Sequence, residues 1–167
     1  NVTKNNKYLV SIDRVNQSIK TDTSNGGVTY TDTERNIWIE EYIMKGKPTH
    51  ILNGFIWALW GIYDYWLLKK DENTKVLFNN YVKTIKYNLN RYDIGYWSLY
   101  ELSDNKIAMQ ASLFYHKLHI VQLGILFKMT NEKVFKNISK NWLIYSQNNF
   151  YRMRSTVMKI LFKLIYY

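Results

Sequence analysis

A mainly α-helical fold is predicted by three features: apolar residues recur at i, i+3, i+4 and i+7 over long stretches, there is only one proline, and glycines number seven. Tyr8, Leu9, Ile12, Val15 and Ile19 follow that spacing, so residues 6–20 read as an amphipathic helix that ends before a polar run and the break at Gly26-Gly27. Val28 to Tyr30 and Ile37 to Ile43 are β-branched and aromatic around a polar turn, which predicts a short β-hairpin. Met44 to His50, with Pro48, reads as loop.

A long helix is expected from Leu52 to Leu68, with Phe55, Ile56, Leu59, Trp60, Tyr63, Trp66 and Leu67 on a wide apolar stripe and Asn53 and Asp64 off it. Asp71-Glu72-Asn73 makes a turn into a second helix from about Lys75 to Asn90. Trp97 to Leu102 alternates as a short strand or extended loop. The plan then repeats, with a helix from about Ala108 to Lys128, a cap at Thr130-Asn131 and another helix to about Gln147. Two helical hairpins in series suggest, by analogy, an incomplete (α/α) toroid with extended segments near its site. Residues 1–150 are read as one helical catalytic domain and 151–167 as a basic amphipathic tail.

With 167 residues and 47% hydrophobic content, the chain can bury a real core. It has no cysteine, which excludes disulfides, thiolate metal ligands and thiol nucleophiles. The longest apolar runs are interrupted or too short for a bilayer span, and Asn1 with no leader-like run after it leads to the expectation of a chain that starts inside a longer product or after processing. The net charge of +10 is uneven: residues 1–132 carry 16 basic and 13 acidic side chains, residues 133–167 seven basic and none acidic. A basic surface suits an acidic polysaccharide or an anionic membrane, the latter through the tail, and a second copy of the chain is another admissible partner. Nucleic acid would rest on charge alone, because no nucleic-acid motif is present.

Five stretches, in order and covering about residues 26–143, resemble the C-terminal domain of the glucuronyl C5-epimerase family. They are Gly26-Gly27-Val28, Trp38-Ile39-Glu40-Glu41-Tyr42, Leu52-Asn53-Gly54-Phe55 leading to Gly61-Ile62-Tyr63-Asp64, Tyr92-Asp93-Ile94-Gly95 with Ser98-Leu99-Tyr100-Glu101-Leu102, and Phe114-Tyr115-His116-Lys117-Leu118-His119-Ile120-Val121-Gln122-Leu123. Two departures stand out: Ile43 follows Tyr42 where members often carry proline, and Ser103 stands where animal members carry arginine. Members also carry upstream domains. The resemblance implies an enzyme that inverts C5 of glucuronate units in a heparosan-like polysaccharide, with no cofactor or metal.

That chemistry removes a proton beside the C6 carboxylate and returns one to the opposite face, so it needs an acid/base group on each side of the ring and a counter-charge for the aci-like dianion. Tyrosine can do both proton transfers, and the resemblance assigns them to Tyr42, Tyr100 and Tyr115, which otherwise stand among 15 tyrosines with core or surface packing as the plain reading. His116 and His119, three apart on one helix, could be paired donors to a carboxylate, helix-packing histidines, or metal ligands with Glu40, Glu41 or Asp93. Glu41 is expected to contact substrate, Asn53 is a capping residue or a substrate ligand, Arg91 and Arg35 are candidates to grip the uronate with solvated arginines as the plain reading, and Trp97 is the candidate sugar platform. A uronate lyase shares C5 proton abstraction, and a non-catalytic acidic-glycan binding module is the other alternative.

Overall fold

A computed structural model describes residues 6–43 and 48–166. Helix α1 (Asn6–Ile19) is followed by a 3-10 turn at Thr23–Asn25, strands β1 (Thr29–Thr31) and β2 (Ile37–Ile39), helices α2 (Leu52–Lys69) and α3 (Glu72–Asn88), a 3-10 turn at Leu89–Tyr92, and helices α4 (Leu113–Thr130), α5 (Lys133–Gln147) and α6 (Asn149–Tyr166). The mainly helical expectation holds. Of the loop expected at Met44 to His50, Met44 to Lys47 lie outside the described residues.

The two hairpins form as the spacing predicts, each closed by a residue that accepts the left-handed backbone region. Lys70 caps α2 at φ 55° and Asn131 caps α4 at φ 57°, each returning its N–H to the last turn. Asp71 then starts α3 by accepting from Asn73 N. Between the hairpins, Leu52, Phe55, Ile56, Leu59 and Ile62 of α2 are buried with Phe78, Tyr81 and Ile85 of α3, Leu123 and Leu126 of α4, and Phe135, Ile138 and Trp142 of α5. Gln122 reaches across from α4, donating to the Asn53 carbonyl at 3.0 Å.

Strands β1 and β2 pair antiparallel, Tyr30 opposite Trp38, beside α3. The turn before them depends on two glycines for different reasons. Gly26 adopts φ 81°, and a Cβ on Gly27 would stand 1.9 Å from the Thr21 carbonyl oxygen.

Two boundaries differ from expectation. Strand β2 stops at Ile39 because Glu40 turns into the interior, and α4 begins at Leu113 rather than Ala108. In the second case the helical spacing of residues 108–112 is overruled by backbone pairing: Tyr100 N donates to Met109 O, and Ala111 N to Ser98 O. Ser112 then caps α4, its hydroxyl accepting from Tyr115 N at 3.3 Å.

Helix α6 buries Ser155 and Phe162 and leaves Met153, Val157, Ile160, Leu161 and Leu164 exposed. Three contacts tie it down: the Arg154 guanidinium lies 4.0 Å from the Tyr96 ring centroid, Lys159 Nζ donates to Gln110 O, and Tyr166 Oη accepts from Ile107 N. Among the described residues, no helix is long and apolar enough to cross a membrane.

Candidate active site

Residues 48–51, which lead into α2, are anchored by a buried carboxylate. Glu40 accepts from the backbone N–H groups of Thr49 and His50, both at 3.0 Å, and pairs with His50 Nδ1. Burial alone would raise its pKa, but the hydrogen bonds from His50 and Thr49 together with the His50 charge hold it below the ordinary carboxylate value. The His50 ring stacks on Trp38 at 4.0 Å, and its carbonyl accepts from Tyr92 Oη at 2.6 Å. The same segment pairs with the loop that carries Tyr100: Leu52 N donates to Tyr100 O, and Leu102 N to Thr49 O. Tyr100 is therefore held by backbone bonds on both of its sides, to Leu52 and to Met109.

A cleft of about 1030 Å³ lies above this frame, and Tyr42, Tyr100 and Tyr115 all line it, with Glu101, Lys159 and Lys163 among its other walls. Tyr42 follows β2 and is exposed, Tyr100 projects from the extended loop, and Tyr115 stands in the first turn of α4, placed there by the Ser112 cap. The rings of Tyr100 and Tyr115 meet edge-on, with centroids 4.8 Å apart. Burial raises the pKa of Tyr100, and the Glu41 carboxylate, Tyr115 and Tyr42 raise it further, so this phenol stays protonated through the ordinary pH range.

Glu41 owes its place to a glycine. Its Oε2 sits so close to the first turn of α2 that a Cβ on Gly54 would stand 2.4 Å from it. The start of a helix, with its unpaired N–H groups, suits a carboxylate.

Several residues expected at the site lie elsewhere. His116 and His119 are fully buried and bridged by one hydroxyl: Ser98 Oγ is 2.8 Å from His116 Nδ1 and 3.0 Å from His119 Nδ1. His116 Nε2 lies 3.0 Å from the Trp142 carbonyl, to which it must donate, so its Nδ1 accepts from Ser98. Burial lowers the pKa of His116 to about 4 despite the Trp142 bond, and that of His119 to about 3 with a contribution from His116, so both rings are neutral and internal. They join α4 to α5 and to the Tyr100 loop instead of facing the cleft. Trp97 is buried as well, donating to Ala111 O at 2.8 Å and stacking on His116 at 3.8 Å, which removes both its faces from use as a sugar platform.

Asn53 is buried on the core side of α2 rather than off the apolar stripe, and its Oδ1 has no hydrogen-bond partner among the described residues. Arg91 is exposed and donates to Asn88 Oδ1 at 2.8 Å, and Arg35, at φ 64° in the β1–β2 turn, borders a separate groove with Lys83 and Tyr87. Sequence reasoning missed Ser98, Lys159 and the Glu40–His50 pair. Only the pair left a local trace, a carboxylate that falls on an inward position just after β2.

Taken together, fold and cleft define a helical domain that gathers phenols, a carboxylate and lysines on one open surface. The family model for the D-glucuronyl C5-epimerase C-terminus matches residues 1–144, and the chain belongs to that family. It is similar to the D-glucuronyl C5-epimerase of Caenorhabditis elegans, 29% identical over 155 residues that cover 84% of this chain and 25% of that protein. It is also similar to an uncharacterized protein of Methanocaldococcus jannaschii, 27% identical over 143 residues, which is 84% of this chain and 45% of that protein. The chain thus spans less than half the length of these two relatives.

Proposed function

We propose that this chain carries the proton-transfer site of an isomerase that inverts C5 of glucuronate residues in an acidic polysaccharide, converting glucuronate to iduronate. Family membership supports the reading, and the observation that carries it is the meeting of Tyr42, Tyr100 and Tyr115, from three separate segments, in one cleft. On this reading the α2–α3 and α4–α5 hairpins are part of an α/α toroid wall that presents the cleft.

The C5–H bond breaks toward a tyrosinate on one face, its electron pair passes into the C6 carboxylate, and a phenol on the other face delivers its proton to C5. One tyrosinate becomes a phenol and one phenol a tyrosinate, so the step balances and needs no redox partner. Tyr100, kept protonated by burial and its anionic neighbour Glu41, is the donor. Tyr115 and Tyr42 are the remaining acid/base groups, and Glu41 accepts from ring hydroxyls.

The test is incubation of the complete polypeptide with a glucuronate polymer in heavy water. Deuterium at C5 with iduronate and without unsaturated ends is expected. Absorbance from new double bonds would make the protein a lyase. Binding without exchange would make it a binding module.

A further inference from the structure

The dianion formed at C5 needs a cation, and the cleft draws its cations from a single helix. Among the described residues that line it, Lys159 and Lys163 are the basic ones, and both stand on α6, one turn apart. Helix α6 begins at Asn149, beyond the residues matched by the family model, so this feature is read from the structure of this chain alone.

Lys159 is half-buried. Its Nζ donates to the Gln110 carbonyl at 3.2 Å and lies 5.9 Å from the centroid of the Tyr100 ring, which places the charge beside the proton donor. An ammonium has three N–H donors, and the Gln110 bond takes one of them. Burial and the neighbouring Lys163 lower its pKa, and the Glu101 carboxylate opposes that shift. Glu101 itself accepts from Ser103 Oγ at 2.6 Å. A partly desolvated cation next to a phenol is suited to an incoming anion, because each hydrogen bond it makes there is charge-assisted and poorly screened.

We propose that Lys159 binds the C6 carboxylate of the reacting uronate and stabilises the charge that develops there, with Lys163 extending the site toward the next anionic group of the polymer. This assignment rests on the epimerase reading above.

The experiment measures, by calorimetry, binding of a glucuronate oligosaccharide and of its carboxyl-reduced counterpart, whose C6 is a neutral alcohol, to the full chain and to Lys159→Gln and Lys159→Arg. Deuterium exchange at C5 is followed in parallel, and thermal melting by circular dichroism checks the fold. Lys159→Gln should lower the preference for the carboxylate form about 10- to 100-fold and slow exchange by at least as much, while Lys159→Arg keeps most of the preference. A folded Lys159→Gln variant with undiminished preference would overturn the assignment. If that variant melts early, Lys159→Met, which keeps the aliphatic stem, is read by the same criteria. A Lys159-dependent preference in a wild-type protein that shows no C5 exchange would support the carboxylate site and overturn the epimerase reading, so the two can fail separately.

Discussion

Tyr115 meets Tyr100 edge-on, with ring centroids 4.8 Å apart and planes at 66°, so the two phenols share one patch of cleft wall although one stands on a helix and the other on an extended loop. On the proposed mechanism the pairing divides labour, because burial and Glu41 keep Tyr100 protonated. Tyr100→Phe and Tyr115→Phe should each lower C5 exchange by about 10²- to 10⁴-fold with polymer binding retained. Exchange in the wild type should persist on the alkaline side to about pH 10 or beyond, since the raised pKa delays loss of the Tyr100 proton. A pH–rate profile of exchange checks this, and an alkaline limb near neutrality would remove Tyr100 as donor.

Acid should unfold the domain through its histidines. His116 and His119 titrate near their ordinary 6.5 when unfolded but at about 4 and about 3 when folded, so below pH 6.5 the unfolded chain binds protons that the native state refuses. Stability is therefore full above 6.5 and falls with pH, by about 3 kcal/mol at pH 4 from His116 alone. His119→Asn, which keeps a donor for Ser98, should flatten this slope. Urea melts at pH 7, 5.5 and 4.5 measure it, and a wild-type stability independent of pH in that window would contradict the buried neutral pair.

Gly54→Ala separates fold from site. The added methyl collides with Glu41 Oε2, the end of a flexible and exposed side chain, so the carboxylate moves at a cost of about 1 kcal/mol or less to stability. Exchange at C5 should nonetheless drop at least about tenfold, with Tyr100 losing part of its raised pKa. A phenolate difference spectrum and the melting curve test both halves. Gly27→Ala is the contrast, since its methyl meets the Thr21 backbone and should destabilise by several kcal/mol, about 3 or more.

Removing α6 after Asn148 should weaken both stability and chemistry. Phe162 is buried, and its loss costs about 3–5 kcal/mol. Lys159 and Lys163 leave the cleft with it. A basic tail that merely tethers the protein would leave exchange intact. Comparing the truncated chain with Phe162→Ala, which keeps both lysines, separates lost packing from lost charge.

Much of this architecture was legible in the residue spacing. The two hairpins and α1 follow from apolar periodicity, and their ends fall near polar or glycine-bearing turns, because helix formation and its capping are local events. The start of α4 was not legible: residues 108–112 have helical spacing but spend backbone groups on the preceding Tyr100 loop, a pairing that apolar periodicity does not register. The tyrosines were singled out by motif and not by physics, since nothing local distinguishes Tyr100 or Tyr115 from the other 13. His116, His119 and Trp97 were misplaced for the same reason. Polar residues on a helix or turn look available for ligands until neighbouring helices close over them.

From its sequence alone, then, this protein determines a helical chain with a basic end, a short hairpin and the family to which it belongs, because periodicity, composition and motif order are properties of neighbouring residues. Tertiary structure alone decided which polar groups face solvent. It sent Ser98, His116 and His119 inward as a neutral cluster bridged by one hydroxyl, and it turned Tyr42, Tyr100 and Tyr115 toward one cleft with Lys159. Burial and hydrogen-bond partners come from segments remote in the chain, and those two quantities set whether a titratable group supports the fold or is free to do chemistry.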